Sequence, residues 1–308
     1  MSSHSTHPLR ADLLMLMTAL IWGCSFVAQR LSLDTIGPFL FNGVRFLLGA
    51  LVVALLSRWL TPSGTQTHRR APLPWAPGIV LGILVAVSIG AQQVGLRYTK
   101  VANAGFISSM YVVIVPVLSL LGGQPLRLGI LLGALCAAAG LYYLSGEHLT
   151  LTYGDGLELF GAVAISVQLL LLGTLTQKHD PLRLVLIQNV VCAAVSLAIA
   201  CALETIRVAD IQRSALTIFY GGALSVGVGY ALQAMAQKDA VPAHAAIIFS
   251  MEGVFAALAA WIIIGETLSR HVMGGCALVV IGCVLSQLAL GRRLVSGNSP
   301  ASSPINGK

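Results

Sequence analysis

One carboxylate stands apart in this 308-residue chain. Glu252 lies in "FSMEGVF" (249–255), inside an apolar run in which the nearest Asp, Glu, Lys or Arg are Asp239 and Glu266. Three chemistries are open to such a group. It can bind a cationic or amine part of a cargo. It can carry a coupling proton, because burial disfavours the charged carboxylate. It can also bond to backbone or a polar neighbour and serve structure alone. A few other polar or aromatic residues interrupt apolar runs and are candidates to bind the same cargo: Gln92, Gln93, Tyr111 and Tyr230. Trp22 and Phe26, four apart, share one helix face and suit a hydrophobic cavity wall or ordinary packing equally. The candidate substrate-binding set is therefore Trp22, Phe26, Gln92, Gln93, Tyr111, Tyr230 and Glu252. Arg45 sits some two turns from the end of its run, where a long stem can reach the membrane interface, so a structural role is expected for it. His244, just after Pro242, reads as interfacial, and Glu266 as a cap or loop anchor.

Other chemistries are excluded by absence. The chain has no H-E-x-x-H, no G-x-S-x-G, no phosphate loop and no paired carboxylates within one run, so no catalytic residues and no enzyme are expected. The six cysteines (Cys24, Cys136, Cys192, Cys201, Cys276 and Cys283) fall in apolar runs without C-x-x-C spacing and read as small hydrophobes. No metal and no cofactor are expected. A channel would want a ring of repeated ligands, which ten diverged segments do not offer. No ATPase segment is present, so movement is passive or ion-driven.

The solvent around Glu252 follows from composition. Hydrophobic residues make up 56% of the chain, charged residues 9%, and mean hydropathy is +0.86. Soluble domains carry about 25% charge, and a chain this poor in it cannot cover a water-facing surface. A membrane span needs roughly 20 mainly apolar residues, and the pattern gives ten: 12–30, 37–57, 75–96, 102–123, 127–145, 155–176, 183–203, 214–236, 242–264 and 270–291. The fold class is thus an all-α integral membrane protein. The first run resembles a signal peptide, but nine more follow, and a retained span is expected. The net charge of +7 reflects scattered basic residues rather than a nucleic-acid surface. With both termini inside, eleven Lys and Arg lie on the cytoplasmic side against six outside, as the positive-inside rule asks. The tail "GNSPASSPINGK" reads as disordered.

The two halves resemble each other. Ser109-Met110 aligns with Ser250-Met251, Gly133 with Gly274 and, with one gap, Gly140 with Gly282. Five spans per half would insert the second half upside down, and inverted repeats with a midplane site between them are a transporter design. On this alignment Tyr111 and Glu252 fall in equivalent positions. The expected organisation is a cytoplasmic tail over 1–11, a first repeat over 12–146, a second over 147–291 and a disordered cytoplasmic tail over 292–308. Gly221-Gly222, Gly227 and Gly229 in the eighth span are candidate points of bending.

These motifs carry a resemblance to a known family. "ALIWGCSFVAQRLSLDTIGPFLFNGVRFLLGALVVALL", "GLRYTKVANAGFISSMYVVIVPVLS" and "VFAALAAWIIIGETLSRHVMGGCALVVIGCVL" resemble EamA-type members of the drug/metabolite transporter superfamily. The resemblance implies ten transmembrane helices as a five-plus-five inverted repeat and alternating-access transport of a small amino-acid-like, amine-like or drug-like metabolite across the inner (plasma) membrane, by export. A facilitator or an importer is the alternative. The implied partners are a small-molecule substrate, the lipid bilayer and, as a candidate co-substrate, protons, with no nucleic acid, in a monomer or a homodimer. Two positions depart from the family pattern: Gly253 stands where a proline often follows the glutamate, and Gln124 where the fourth span often ends in Gly-Glu.

Overall fold

The computed structural model describes residues 8–60, 73–123, 128–145, 152–267 and 270–296, and among them every regular element is helical. The first three are α1 (Pro8–Ser32), α2 (Pro38–Leu60) and α3 (Trp75–Gly95). The fourth apolar run forms two short helices, α4 (Val101–Ser108) and α5 (Tyr111–Leu121), followed by α6 (Leu128–Ser145). The second half begins with α7 (Tyr153–Leu175) and α8 (Pro181–Leu203). Then come the short α9 (Val208–Arg213) and α10 (Ala215–Phe219), a π-helical stretch over Tyr220–Gly229, and α11 (Tyr230–Gln237). The ninth run is again two helices, α12 (Pro242–Phe249) and α13 (Met251–Ile264), and α14 (Arg270–Ser296) closes the chain. α14 thus continues through 292–296, which had been assigned to the tail. The rest of the tail expectation, 297–308, and the extreme N-terminus lie outside the described residues.

Local chemistry sets the helix ends. Thr152 and Asp155 form a reciprocal capping box at the start of α7, which satisfies two otherwise orphaned N–H groups. Asp180 accepts from the Arg183 amide ahead of Pro181, and Pro242 starts α12, where a missing N–H costs nothing. Gly265 ends α13 with φ of 72°, a left-handed turn that favours glycine. There the Glu266 amide donates to the Ala260 carbonyl at 3.2 Å. Partial burial raises the Glu266 carboxyl above its ordinary range, opposed by Lys100 and Arg30.

Eight stretches among the described residues are long and apolar enough to cross a membrane: Leu9–Ser32, Pro38–Trp59, Trp75–Gly95, Val101–Leu121, Tyr153–Leu175, Pro181–Leu203, Ala215–Gln237 and Pro242–Ile264. α6 and α14 carry shorter apolar stretches, Leu128–Gly140 and Met273–Leu285. Leu51, Leu55, Leu135, Val163 and Ile281 are exposed, as side chains facing lipid should be. The buried core is instead rich in alanine, from Ala243 to Ala260 in α12 and α13 for example. Small residues let helix backbones approach where lipid gives no hydrophobic drive.

The helix pairing repeats itself. α3 packs on α7 and α8, while its counterpart, the π-helical stretch with α11, packs on α1 and α2. α4 and α5 pack on α7, and α12 and α13 pack on α1. α2 meets α8, and α6 meets α14. Exchanging the two halves maps this set of contacts onto itself. The same symmetry reaches single atoms. A Cβ at Gly140 would come 2.6 Å from the Gly275 carbonyl, and one at Gly282 would come 2.6 Å from the Gly133 carbonyl. Of the glycines that align the two halves in sequence, Gly133, Gly140 and Gly282 sit where α6 and α14 touch, whereas at Gly274 the contact falls to its neighbour Gly275.

Two expectations change. Spans four and nine were expected as continuous helices, but the chain tightens at Ser109-Met110 and at Ser250. The Met110 amide donates to Ile107, Val112 to Ser109 and Gly253 to Ser250, all three-residue rather than four-residue bonds. The Ser250 hydroxyl donates to the Ile247 carbonyl at 2.6 Å, the competition with helical bonding that serine brings. In α5, Pro116 lies inside the helix and removes a donor. The eighth span also is not a plain α-helix, because its glycine-rich centre widens to π geometry.

Packing at the glycine contacts yields a test. Gly140→Leu and Gly282→Leu should each cost about 1–3 kcal/mol by overpacking. Gly274→Leu, where a side chain meets nothing within 4 Å, should stay within about 0.5 kcal/mol. Unfolding of the purified variants in detergent measures the difference.

Candidate functional site

The two tightened turns bring side chains from both halves to one cavity. It is lined by Trp22, Ser25, Phe26 and Gln29 of α1, Arg45 and Phe46 of α2, and Ser88, Ile89 and Gln92 of α3. Ser108, Tyr111 and Glu252 enter from the breaks, and Ile165, Ser225, Val226 and Tyr230 complete the wall. The space not filled by atoms is about 540 Å³, mouth included.

Six of the seven residues expected from sequence line this cavity: Trp22, Phe26, Gln92, Tyr111, Tyr230 and Glu252. Gln93 does not. Its amide turns away to donate to the Gln29 carbonyl and the Ser32 hydroxyl, both at 3.3 Å. Adjacent residues on a helix point about 100° apart, so Gln92 and Gln93 cannot share a target.

One wall is aromatic. Trp22 lies 5.2 Å from Tyr230 and 5.6 Å from Phe249, and Tyr230 lies 5.9 Å from Phe46, by ring centroids. The Trp22 indole N–H donates to the Ser225 carbonyl at 3.1 Å. That carbonyl belongs to the π-helical stretch, so the widened turn fixes the tryptophan's pose.

Glu252 occupies the first turn of α13, not the middle of a continuous helix. The apolar run on either side of it therefore divides between two helices. Ala256 and Ala259 stay on its helix, whereas Ala245 and Phe249 belong to α12. Gly23 of α1 lies so close to α13 that a Cβ there would meet the Glu252 carbonyl at 2.7 Å. Glu252 is 5% exposed and accepts from the Ser109 hydroxyl at 3.3 Å. Tyr111 lies against it, with its hydroxyl making no hydrogen bond of normal geometry. No ion-pair partner of Glu252 is found among the described residues.

Arg45 departs most from expectation. A reach to the membrane interface was expected, yet the side chain is 2% exposed. Its Nε donates to Asn42 Oδ1 at 3.0 Å and an Nη to Gln29 Oε1 at 3.1 Å. The guanidinium carbon stands 5.0 Å from the Phe41 ring and 5.5 Å from Phe46. Asn42 is itself anchored to the Ile89 carbonyl at 3.2 Å. Neutral amides and ring faces thus hold the charge, and no carboxylate pairs with it among the described residues. The signal in sequence was the i, i+3 pair Asn42/Arg45, facing inward on a helix whose exposed face is leucine.

Two more polar groups escaped sequence reading. Asp155 and Glu158 are both buried in α7, so carboxylates do pair within one span. His244, near the start of α12, is 2% exposed, with Nε2 3.0 Å from Asp12. No group of metal-ligating side chains occurs among the described residues.

The chain is similar to several known proteins. A model of the EamA-like transporter family matches the chain twice, over residues 9–146 and 152–288. A protein of Archaeoglobus fulgidus described as an uncharacterised transporter is 30% identical over 285 residues, 91% of this chain and 86% of its own. A second uncharacterised transporter, from Bacillus subtilis, is 22% identical over 91% of this chain and 98% of its own. A crystal structure at 22% identity superposes with a TM-score of 0.74, covering 92% of this chain and 98% of that one, and supports the fold alone.

The cage around Arg45 is testable. Gln29→Leu leaves a donor of a buried cation without its acceptor and should cost about 1–3 kcal/mol. Thermal unfolding of the purified variant reads this directly.

Proposed function

The chain belongs to the EamA-like transporter family, and on that premise we propose that it carries a small zwitterionic, amino-acid-like metabolite across the membrane by alternating access. One observation carries the reading: Arg45 and Glu252, a base and an acid, buried and without ion-pair partners among the described residues, line one cavity between the repeats. A buried charge without a partner is costly, and a cargo with a carboxylate and an ammonium supplies both partners at once. The aromatic wall of Trp22, Phe46 and Tyr230 favours an apolar side chain on that cargo. The carriers of the two turns, α4/α5 and α12/α13, are halves that rocking of one repeat against the other would move.

The same reading includes ten spans. α6 and α14 pack on each other while Leu131, Leu132 and Leu135 on one and Val280, Ile281 and Val284 on the other are exposed, as on helices facing lipid. The repeats are inverted, over 12–146 and 147–291, and both termini face the cytoplasm of a plasma membrane, supported by the excess of basic residues on that side. Direction is outward, supported by the family resemblance of the sequence.

Proteoliposomes and a panel of radiolabelled amino acids, primary amines and monocarboxylates test the function. Amino acids should move. Arg45→Gln and Glu252→Gln should each lower their flux about 100-fold, the scale of about 3 kcal/mol lost with a buried charge contact. Flux of no panel member, or flux indifferent to both substitutions, would contradict the reading.

A further inference from the structure

Behind the cavity wall stands a carboxylate with no assigned task. Glu158 of α7 is fully buried. Its Oε2 accepts from the Ser108 hydroxyl at 2.9 Å, and Ser108 accepts from the Gln92 amide at 2.7 Å. Its Oε1 has no hydrogen-bond partner. Ser108 and Gln92 both line the cavity. The next residue, Ser109, donates to Glu252. Two adjacent serines at the turn between α4 and α5 therefore hold two buried acids, one from each side of that turn.

Among the described residues neither acid has an ion-pair partner; the cation that lines the cavity, Arg45, is held by Asn42 and Gln29. The ionisable groups acting on Glu158 are Asp155 on its own helix and Glu252 across the turn. α3 and α4 face it with neutral Gln92 and Ser108, and α5 brings the unbonded Tyr111 hydroxyl. α11 and α12, packed farther along α7, bring Gln233, Gln237 and His244, the last beside Asp12. Around Glu252 stand Ser109, Tyr111 and Tyr230, with Arg45 in the wall of the same cavity. Two buried acids so placed cannot both hold a charge without a cation or a proton between them.

We propose that Glu158 is a proton carrier of the transport cycle, sharing one exchangeable proton with Glu252 across the Ser108-Ser109 turn. When the ammonium of the cargo docks on Glu252, the O–H bond of that acid breaks and its electron pair stays on the oxygen. The proton forms an O–H bond on Glu158. Release of the cargo reverses the exchange. The outlet lies at the end of the bundle where α7 begins, past Asp155, which accepts from Thr99 at 2.7 Å. The repeat-related place at the other end is apolar: Met15, three residues beyond Asp12 as Glu158 is beyond Asp155, packs in one cluster with Phe249, the residue before Ser250. Only one half carries the second acid, which gives the exchange a direction.

This inference rests on the transport reading, but its test needs no cargo. Infrared spectra of the purified full chain in phosphatidylcholine bilayers, stepped in pH, report protonated buried carboxyls. Wild type should show two titrating bands. Glu158→Gln and Glu252→Gln should each remove one and move the midpoint of the other by about one pH unit, tenfold in proton affinity. Ser108→Ala keeps both acids, covers the case in which Glu158→Gln does not fold, and should move the Glu158 midpoint alone. The proposal fails if the Glu158 band does not titrate between about pH 4 and pH 10, or if the Glu252 midpoint is the same with and without Glu158. Absence of amino-acid flux with coupled bands present would fell the transport reading instead.

Discussion

A charge that lipid cannot solvate governs this molecule. Arg45 keeps its proton in any protein environment, so burying it obliges the surroundings to bond it. Gln29, Asn42 and two phenyl faces do so without neutralising it. The obligations spread from there. Asn42 ties α2 to α3 through Ile89, and Gln93 ties α3 to α1 through Gln29 and Ser32. The first three helices are thus clamped around a cation, and Glu252 faces the same space from the other half.

The breaks in spans four and nine are what let the halves meet there. A continuous helix would bond every backbone group to itself and carry Tyr111 and Glu252 past each other on fixed faces. Tightening at Ser109-Met110 and Ser250 re-aims the following turn, and the serine hydroxyls take up the slack, one to a backbone carbonyl and one to a carboxylate. The two breaks are equivalent by repeat, but their occupants are not. Glu158 and Ser108 fill on one side a place that Met15 and Phe249 fill on the other. The frame is symmetric and its filling is not.

Much of this was readable in the sequence, and the reason differs by residue. The paired Ser-Met dipeptides and the glycines at 133, 140 and 282 are local signals of backbone contact, and the helices do break and touch there, while Gly274 marks the contact one residue early. Trp22, Phe26, Gln92, Tyr111, Tyr230 and Glu252 were legible because polar or aromatic groups in apolar runs have few places to go. Arg45 was misread because distance from a span end says how far a stem can reach, not which way its helix is turned. Glu158 was overlooked because it lies one turn inside its span, where an acid passes for an interfacial residue. The Asp12–His244 pair is 232 residues apart in sequence, and no local pattern announces it. The helix breaks themselves left only serine, glycine and Pro116 as traces, which apolar helices also carry for packing.

The central claim is that Arg45 and Glu252 hold opposite ends of one cargo. The most direct measurement is the ligand-induced shift in unfolding temperature of the purified full chain with a matched triple: leucine, 3-methylbutylamine and 4-methylpentanoic acid. These share a side chain and differ in which charges they carry. The account predicts that leucine stabilises the protein more than the amine and the acid do together, since only the zwitterion satisfies both buried charges. Equal stabilisation by the amine and by leucine would make Arg45 a bystander and contradict it.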